Sequence, residues 1–192
     1  EEMRKEHNAL LAMEKSDYLL ENKSFAMFDL ESTHMDADFG RLICACIKPL
    51  GEAPIVFSTL KGDTIVEFVR DELQKYDYIV TYYGTGVDIP FLTTRLIKNG
   101  LEPLGLVRQV DMYYTARSKL KLASNRQANV VKSLTRKVER TDVVGEIWLK
   151  AAEGEKEAVE YIVEHCIADV HDLEEVFNWL VSYRSLGATP IR

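Results

Sequence analysis

Three short runs of apolar and β-branched residues follow one another near the start of this chain, with no helical pattern between them. They cover residues 25–31, 42–48 and 55–58, and they are separated by Gly40 and by segment 49–54, which begins and ends in proline. Strands joined by turns produce this pattern. The chain is therefore predicted to begin its core with a three-stranded antiparallel meander, which excludes an all-helical fold.

Helices and strands alternate after the meander. In chain order, the patterns predict a helix from Asp63 or Thr64 to about Leu73, a strand over 78–81, a helix from Asp88 to Asn99-Gly100, a strand over 106–111 and helices to about residue 137. Alternation of this kind adds parallel strands to a sheet and places helices on its faces. The predicted fold is α/β, with a mixed five-stranded sheet flanked by helices.

The strongest helical pattern lies near the end of the chain, from residue 155 to about 183. Apolar residues recur there every three or four positions, which is the spacing of one helical face. They are Val159, Ile162, Cys166, Val170, Leu173, Phe177 and Leu180. We interpret residues 23–192 as one domain and residues 1–22 as an amphipathic N-terminal helix or lead-in segment. The chain does not begin with Met, so a further domain upstream is also expected.

Charge limits how this chain could bind nucleic acid. The net charge of −7 has the wrong sign for binding through bulk electrostatics. Basic residues are instead concentrated between positions 117 and 140, where Glu139 is the single acid. They are Arg117, Lys119, Lys121, Arg126, Lys132, Arg136, Lys137 and Arg140. This basic segment is either a phosphate-binding surface or a solvated basic face.

The sequence also bears on the compartment. No apolar run reaches the roughly 18 residues of a membrane span, and the N-terminus is too charged for a signal peptide. Cys44, Cys46 and Cys166 form no C-x-x-C pair, and we interpret them as reduced thiols in the core. A cytoplasmic, reducing environment and no membrane partner are expected.

Asp29 and Glu31 end the first predicted strand. Side chains two residues apart in a strand point to the same face, so both carboxylates lie together. Like charges this close repel one another unless a cation compensates, which suggests a divalent metal. A single D-x-E is nevertheless common, and taken alone it is better explained by a strand-end or turn role.

Asp88 follows a glycine-rich turn, Gly84-Thr85-Gly86, and opens a helix. Glycines at such a turn would let a nucleotide backbone approach closely. The simpler interpretation is that Asp88 caps the helix ahead of Pro90.

His165 and Asp169 are four residues apart in the last helix, so they share one helical face. This spacing combines a group that exchanges protons near neutral pH with a metal-ligating carboxylate. His171 is predicted to lie on the surface, and Asp172 is interpreted as solvated charge.

The order of these motifs is D-x-E on a strand, G-x-x-x-D-x-P-F-L at a helix start and H-x-x-x-D on the last helix. It resembles the DEDD superfamily of 3′→5′ exonucleases, which are related to the proofreading domains of DNA polymerases, and is most similar to its predicted RNase H-like exonuclease subgroup. The similarity spans residues 25–180. It implies an RNase H-like fold in which Asp29, Glu31, Asp88 and Asp169 bind metal.

The resemblance also implies roles for neighbouring residues. Tyr83 stands where many relatives have asparagine, and Tyr83, Gly84 and Phe91 are expected to contact substrate, although Phe91 could equally be core. Asp111, in V-D-M-Y, resembles a family aspartate that is structural or near the substrate. His165 is the expected general base, although it has the spacing of the family's tyrosine branch.

By this resemblance, two Mg²⁺ or Mn²⁺ ions would act on the 3′ end of single-stranded DNA or RNA and release nucleoside monophosphates. Two alternatives remain. One is an RNase H or resolvase-like endonuclease, and the other is a catalytically weak nucleic-acid-binding domain of the same fold.

Overall fold

The structure is a computed structural model that describes residues 2–4, 7, 17–135, 144–183 and 189–190. The predicted N-terminal helix over residues 1–22 lies largely outside the described residues, and those described within it, 2–4, 7 and 17–22, are helical. The part of the basic segment beyond residue 135 also lies outside them.

One mixed sheet organises the described chain. Its strands are β1 (Phe25–Ser32), β2 (Leu42–Pro49), β3 (Ile55–Ser58), β4 (Tyr78–Thr81), β5 (Arg108–Asp111) and β6 (Thr189–Pro190), in the order β3-β2-β1-β4-β5-β6. The first three strands are antiparallel, and β4 and β5 run parallel to β1. The predicted five-stranded architecture is confirmed. The additional β6 pairs antiparallel with β5 over two residues, which is too short to leave a sequence pattern.

Six further helices follow β3 in the described chain. They are α1 (Val66–Leu73), α2 (Asp88–Lys98), α3 (Met112–Lys119), α4 (Gln127–Thr135), α5 (Gly145–Ala152) and α6 (Lys156–Leu180), and short 3-10 turns precede α1 and follow α6. Helix α5 was not among the predicted elements. None of the described helices is long and apolar enough to cross a bilayer.

Neither Asp63 nor Thr64, where the helix was predicted to begin, caps that helix with its side chain. The turn before α1 begins after Gly62 and has no side-chain cap. The carboxylate of Asp63 instead accepts hydrogen bonds from the backbone N–H of Leu42, at 3.2 Å, and from the guanidinium of Arg95. Asp63 therefore ties the start of β2 to α2.

Helices cover both faces of the sheet and form two apolar clusters. Phe25 and Met27 of β1 belong to the cluster with α6, whereas Ala26, Phe28 and Leu30 belong to the cluster with α1 and α2. All seven apolar residues of the predicted α6 stripe are buried. Because side chains alternate along a strand, residues 29 and 31 have the same parity as residues 25 and 27, so they face α6.

Candidate active site

The end of β1 presents Asp29 and Glu31 on the face that α6 covers. Their cross-strand partners on β2 are Cys46 and Cys44, respectively. Both cysteines are free and fully buried, as expected for core residues. Both acids lie toward the C-terminal end of β1, and both are partly exposed.

Helix α6 brings His165 and Asp169 to the same place. The Nε2 atom of His165 lies 3.5 Å from Oδ2 of Asp169, one helical turn away, and 4.0 Å from Oε1 of Glu31. The His165 side chain is only 12% exposed, so the imidazole is held between the strand and its own helix. By contrast, His171 is exposed, as predicted.

Asp88 reaches the cluster from a third element. It is the first residue of α2 and is buried, and its Oδ1 accepts a hydrogen bond from the backbone N–H of Leu30 at 3.2 Å. Val87 occupies the capping position and no side chain caps the helix. The interpretation of Asp88 as a simple helix cap is therefore wrong. Its carboxylate points toward β1 instead, where it meets the backbone of Leu30, the residue between Asp29 and Glu31.

The four carboxylates interact strongly. Burial raises the pKa of Asp29 well above its usual value, the charges of Glu31, Asp88 and Asp169 raise that pKa further, and a hydrogen bond from the Cys166 thiol opposes the rise.

Burial likewise raises the pKa of Asp88 to about 7, against hydrogen bonds from the N–H groups of Leu30 and its own backbone, and the charges of Asp111 and Asp169 add to the rise. Ionising all of the acids in this site therefore costs free energy, because it brings negative charges close together.

A divalent cation would fit this set of side chains. Glu31, His165 and Asp169 each offer a ligand atom, and these atoms lie within 4.8 Å of one another. In addition, Nδ1 of His165 is buried without a hydrogen-bond partner in the structure. Carboxylates and an imidazole suit Mg²⁺, Mn²⁺ or a transition metal. His165 thus belongs to the candidate ligand group itself, where the sequence predicted only a base beside the ligands.

The carboxylate of Asp111 holds the glycine turn in place through hydrogen bonds to its backbone. Its Oδ1 accepts hydrogen bonds from the backbone N–H groups of Tyr83, at 2.8 Å, and Tyr113, at 3.1 Å, and its Oδ2 accepts one from Thr85 at 3.0 Å. The side chain is buried and caps α3. Of the two expected roles for Asp111, the structure supports the structural one.

Gly84 and Phe91 are placed differently from their predicted contacts with substrate. Gly84 is buried, and a Cβ at this position would lie 2.4 Å from Cβ of Thr81, so the glycine is required by internal packing. Phe91 is 3% exposed and belongs to the apolar cluster on the α2 side. Its ring therefore has no free face on which a base could stack. Phe91 is a core residue, which is the alternative that the sequence left open.

A cavity of about 600 Å³ lies beside the acids. Asp29 and Asp169 contribute to one part of its lining, and Tyr83 contributes to another. The rest of the lining comprises Tyr82, Tyr113, Ala123, Ser124, Asn125, Arg126 and Gln127. Of these, the sequence analysis noted Arg126, as part of the basic segment, and Tyr113, as the tyrosine of V-D-M-Y.

Comparisons with known proteins agree with this geometry. A family model of the RNase H superfamily matches residues 26–181. The chain is also similar to a solved structure of the family B DNA polymerase from the hyperthermophilic archaeon Pyrobaculum calidifontis. The TM-score is 0.71 and the identity 16%, over 83% of this chain and 24% of that chain.

At that identity the polymerase match shows a shared fold, and this chain corresponds to about a quarter of the polymerase's length. No curated protein sequence matches the chain. The family match covers the whole sheet from β1 to β5 and all of α6, including every acid of the site. The chain therefore belongs to the RNase H superfamily.

Proposed function

We propose that this protein is a metal-dependent 3′→5′ exonuclease that hydrolyses phosphodiester bonds at the 3′ end of DNA or RNA. The observation that carries the proposal is the convergence of four carboxylates from β1, α2 and α6, with His165 beside them. Membership of the RNase H superfamily supports a nuclease function for this cluster of carboxylates. The order of the sequence motifs favours the DEDD exonucleases.

The residues that would hold the metals are Asp29, Glu31, Asp88 and Asp169. Their mutual repulsion and the raised pKa values of Asp29 and Asp88 are relieved when divalent cations bind. Two Mg²⁺ or Mn²⁺ ions at such a site would activate an attacking water and stabilise the leaving 3′ oxygen. Asp29 has acidic neighbours on all three elements, so its carboxylate would gain most from the positive charge that bound cations supply.

His165 completes the chemistry in this proposal. Its Nε2 faces Glu31 and Asp169, which would place it next to a water held by these acids. The imidazole would accept the proton of that water, and the carboxylate of Asp169 would orient the ring.

Release of mononucleotides from a 3′-labelled single strand tests the proposal. Wild-type protein is expected to release labelled nucleoside monophosphate in Mg²⁺ or Mn²⁺ but not in EDTA, and Asp29→Ala is expected to be inert. Asp71→Ala is a matched control, because Asp71 is an exposed acid on α1 that pairs only with neighbouring Arg70 among the recorded ion pairs. This control variant should retain full activity.

Two other results would redirect the assignment. Cleavage of strands with blocked 3′ ends, at the same rate as free ends, would favour an RNase H or resolvase-like endonuclease. If the wild type and Asp29→Ala were equally inert with DNA and RNA in both metals, the nucleic-acid-binding domain would replace the enzyme. The three buried, free cysteines favour a reducing, cytoplasmic compartment for either activity.

A further inference from the structure

The basic segment takes no part in the chemistry proposed above, although it concentrates positive charge on an acidic chain. Residues 112–138 include seven cations and no acid, whereas the whole chain has a net charge of −7. The described cations of this segment are Arg117, Lys119, Lys121, Arg126 and Lys132, and all five are exposed. We call them the basic face. Positive charge gathered in this way is typical of a surface that binds a polyanion.

The side chains of the basic face are not neutralised by acids of the described chain. None of the five forms an ion pair or a hydrogen bond to another described residue. Other described cations do pair with acids, namely Lys23, Lys48, Arg70, Lys75, Arg95, Lys150 and Lys156. A solvated charged surface usually mixes both signs and forms such pairs. The basic face therefore differs from an ordinary solvated surface.

Helix stabilisation explains only part of the basic face. Arg117 and Lys119 lie in the last turn of α3, and Lys132 lies in the last turn of α4. Cations there interact favourably with the negative end of the helix dipole. Lys121 lies between the two helices, and Arg126 directly precedes the first turn of α4, where a cation is unfavourable. These two positions call for a different explanation, which a bound anion supplies.

The basic face begins at the carboxylate cluster and is fixed to it. Arg126 lines the cavity beside Asp169. The next residue, Gln127, donates a hydrogen bond from Nε2 to the backbone carbonyl of Asp169 at 2.7 Å. On α3, Arg117 follows Tyr113 of the cavity lining by four residues, so the two share one helical face. A polyanion that enters the site can therefore continue onto the basic face.

The composition of the segment favours a duplex over a single strand. Residues 115–138 include no Phe, Tyr or Trp on which a base could stack. Proteins that bind single strands combine a basic groove with aromatic side chains. A duplex keeps its bases stacked inside and presents phosphates, with about one charge per 1.7 Å of helix axis. Cations without aromatic rings therefore suit the backbone of a duplex.

We propose that the basic face binds the phosphate backbone of a double-stranded region adjoining the 3′ end that the carboxylates act on. The inference rests on the proposed function and deepens it, because it specifies a duplex with a short 3′ overhang as the substrate class. Contacts to phosphates carry no sequence information, so binding is independent of the sequence of the duplex. They also make binding weaken steeply as the salt concentration rises.

Binding in EDTA tests the basic face separately from metal-dependent hydrolysis. The whole chain is titrated with three fluorescein-labelled nucleic acids, each prepared as DNA and as RNA. They are a hairpin with a short 3′ overhang, the overhang alone, and an unstructured single strand as long as the hairpin. With DNA or with RNA, the wild-type protein should bind the hairpin roughly tenfold more tightly, or better, than either single strand, because the duplex has the higher density of phosphates.

Lys121→Gln removes one charge from the basic face at a position outside the cavity lining. It should weaken binding of the hairpin and reduce the slope of log affinity against log salt by about 1, the effect of one lost phosphate contact. The matched control is Lys61→Gln. It removes the same charge from an exposed lysine that also has no ion pair within the described residues, and it should leave the slope unchanged.

Several results would overturn the inference. They are equal affinities for the hairpin and the isolated overhang, absence of binding to all three nucleic acids, and equal effects of Lys121→Gln and Lys61→Gln. A single strand that binds as tightly as the hairpin would exclude the duplex. Phosphatidylserine vesicles that displace the hairpin at equal charge would replace nucleic acid by an anionic lipid surface.

Binding and hydrolysis can fail separately in this design. If the hairpin preference is found but no metal supports hydrolysis, the basic face stands and the proposed exonuclease activity fails. If 3′ ends are hydrolysed but the hairpin is not preferred, the exonuclease stands and the inference about the duplex fails.

Discussion

The Sγ atom of Cys166 lies 3.2 Å from Oδ2 of Asp29, so the thiol donates a hydrogen bond to the carboxylate at the centre of the acidic cluster. Cys166 is fully buried, and Asp29 and Cys46 are directly opposite one another on β1 and β2. The hydrogen bond fixes the orientation of one carboxylate oxygen, which leaves the other oxygen to face the site. Partners of this kind tune metal ligands in many proteins.

Replacing Cys166 by alanine should weaken metal binding. Loss of the thiol frees the Asp29 carboxylate to rotate, and loss of such partners reduces metal affinity by roughly 10- to 100-fold. The measurement is the Mn²⁺ concentration that gives half of the maximal rise in unfolding temperature, which requires no catalytic activity. We expect that concentration to increase about tenfold in Cys166→Ala.

Cys166→Ser is the matched control for this variant. Serine replaces the thiol by a hydroxyl that can still donate a hydrogen bond to Asp29. Its Mn²⁺ dependence should stay closer to that of the wild type than the dependence of Cys166→Ala. If the serine and alanine variants shift the Mn²⁺ dependence equally, the hydrogen bond to Asp29 has no special role.

Much of the sheet could be predicted because its strands are buried on both faces. The runs at 25–31, 42–48 and 78–81 match β1, β2 and β4 to within one residue, since uninterrupted burial gives uninterrupted apolar sequence. The predicted start of β5 is two residues early because Leu106 is apolar yet 97% exposed. Helix α5 was missed because it begins at Gly145, a poor signal for a helix start, and buries only Ala151 completely, so it has no continuous apolar face.

The site could also be predicted only in part, because contacts within one element leave a sequence pattern and contacts between elements do not. Periodicity alone places Asp29 with Glu31 and His165 with Asp169, because each pair lies within one element. The contacts of Asp88 with Leu30, of Cys166 with Asp29 and of Gln127 with Asp169 join residues between 42 and 137 positions apart. No local pattern encodes such contacts, so they could be found only in the folded chain.

Stability without metal should fall as the pH rises. The pKa of Asp88 is about 7 in the folded protein against 3.8 as an ordinary value, so between about pH 4 and 7 the unfolded chain loses this proton first. The free energy of unfolding therefore decreases across that range, by an amount on the order of 4 kcal/mol for this residue. Asp29, whose pKa is also raised, changes stability in the same direction.

Urea unfolding in EDTA at several pH values measures this effect. Asp88→Asn should flatten the pH dependence and be more stable than wild type above pH 7, since asparagine can still accept the hydrogen bond from Leu30. Adding Mn²⁺ should reverse the order of stability, because the wild-type carboxylate binds the cation. A wild-type stability that rises between pH 4 and 7 in EDTA would contradict the expected burial of these acids.

Gly84→Ala should destabilise the turn that carries Tyr83. The new methyl group would lie 2.4 Å from Cβ and 2.7 Å from Oγ1 of Thr81, a fully buried, β-branched residue that has little freedom to move. We expect a loss of about 1–3 kcal/mol in the free energy of unfolding, measured by urea titration. Gly145→Ala is the control, since a Cβ there meets no atom within 4 Å, and it should be neutral or slightly stabilising.

His165→Gln should separate the two roles that the geometry allows for His165. As the general base, His165 accepts the proton of the attacking water, so the variant should have a low kcat even at saturating Mn²⁺. Loss of a general base should lower kcat by roughly 10²- to 10⁴-fold. Glutamine keeps a polar side chain of similar length, and Mn²⁺ affinity, measured through thermal unfolding, should change little.

The opposite pattern would make His165 a metal ligand. Its Nε2 lies within reach of both Glu31 and Asp169, so a cation bound by these two acids could also bind the imidazole. In that case His165→Gln would weaken Mn²⁺ binding, and saturating Mn²⁺ would restore much of kcat. Asp169→Asn provides the reference for a lost ligand, since it removes a carboxylate from the same group and leaves the imidazole in place. A His165 variant that follows Asp169→Asn in its metal dependence, and regains most of kcat at saturating Mn²⁺, would reject the general-base role.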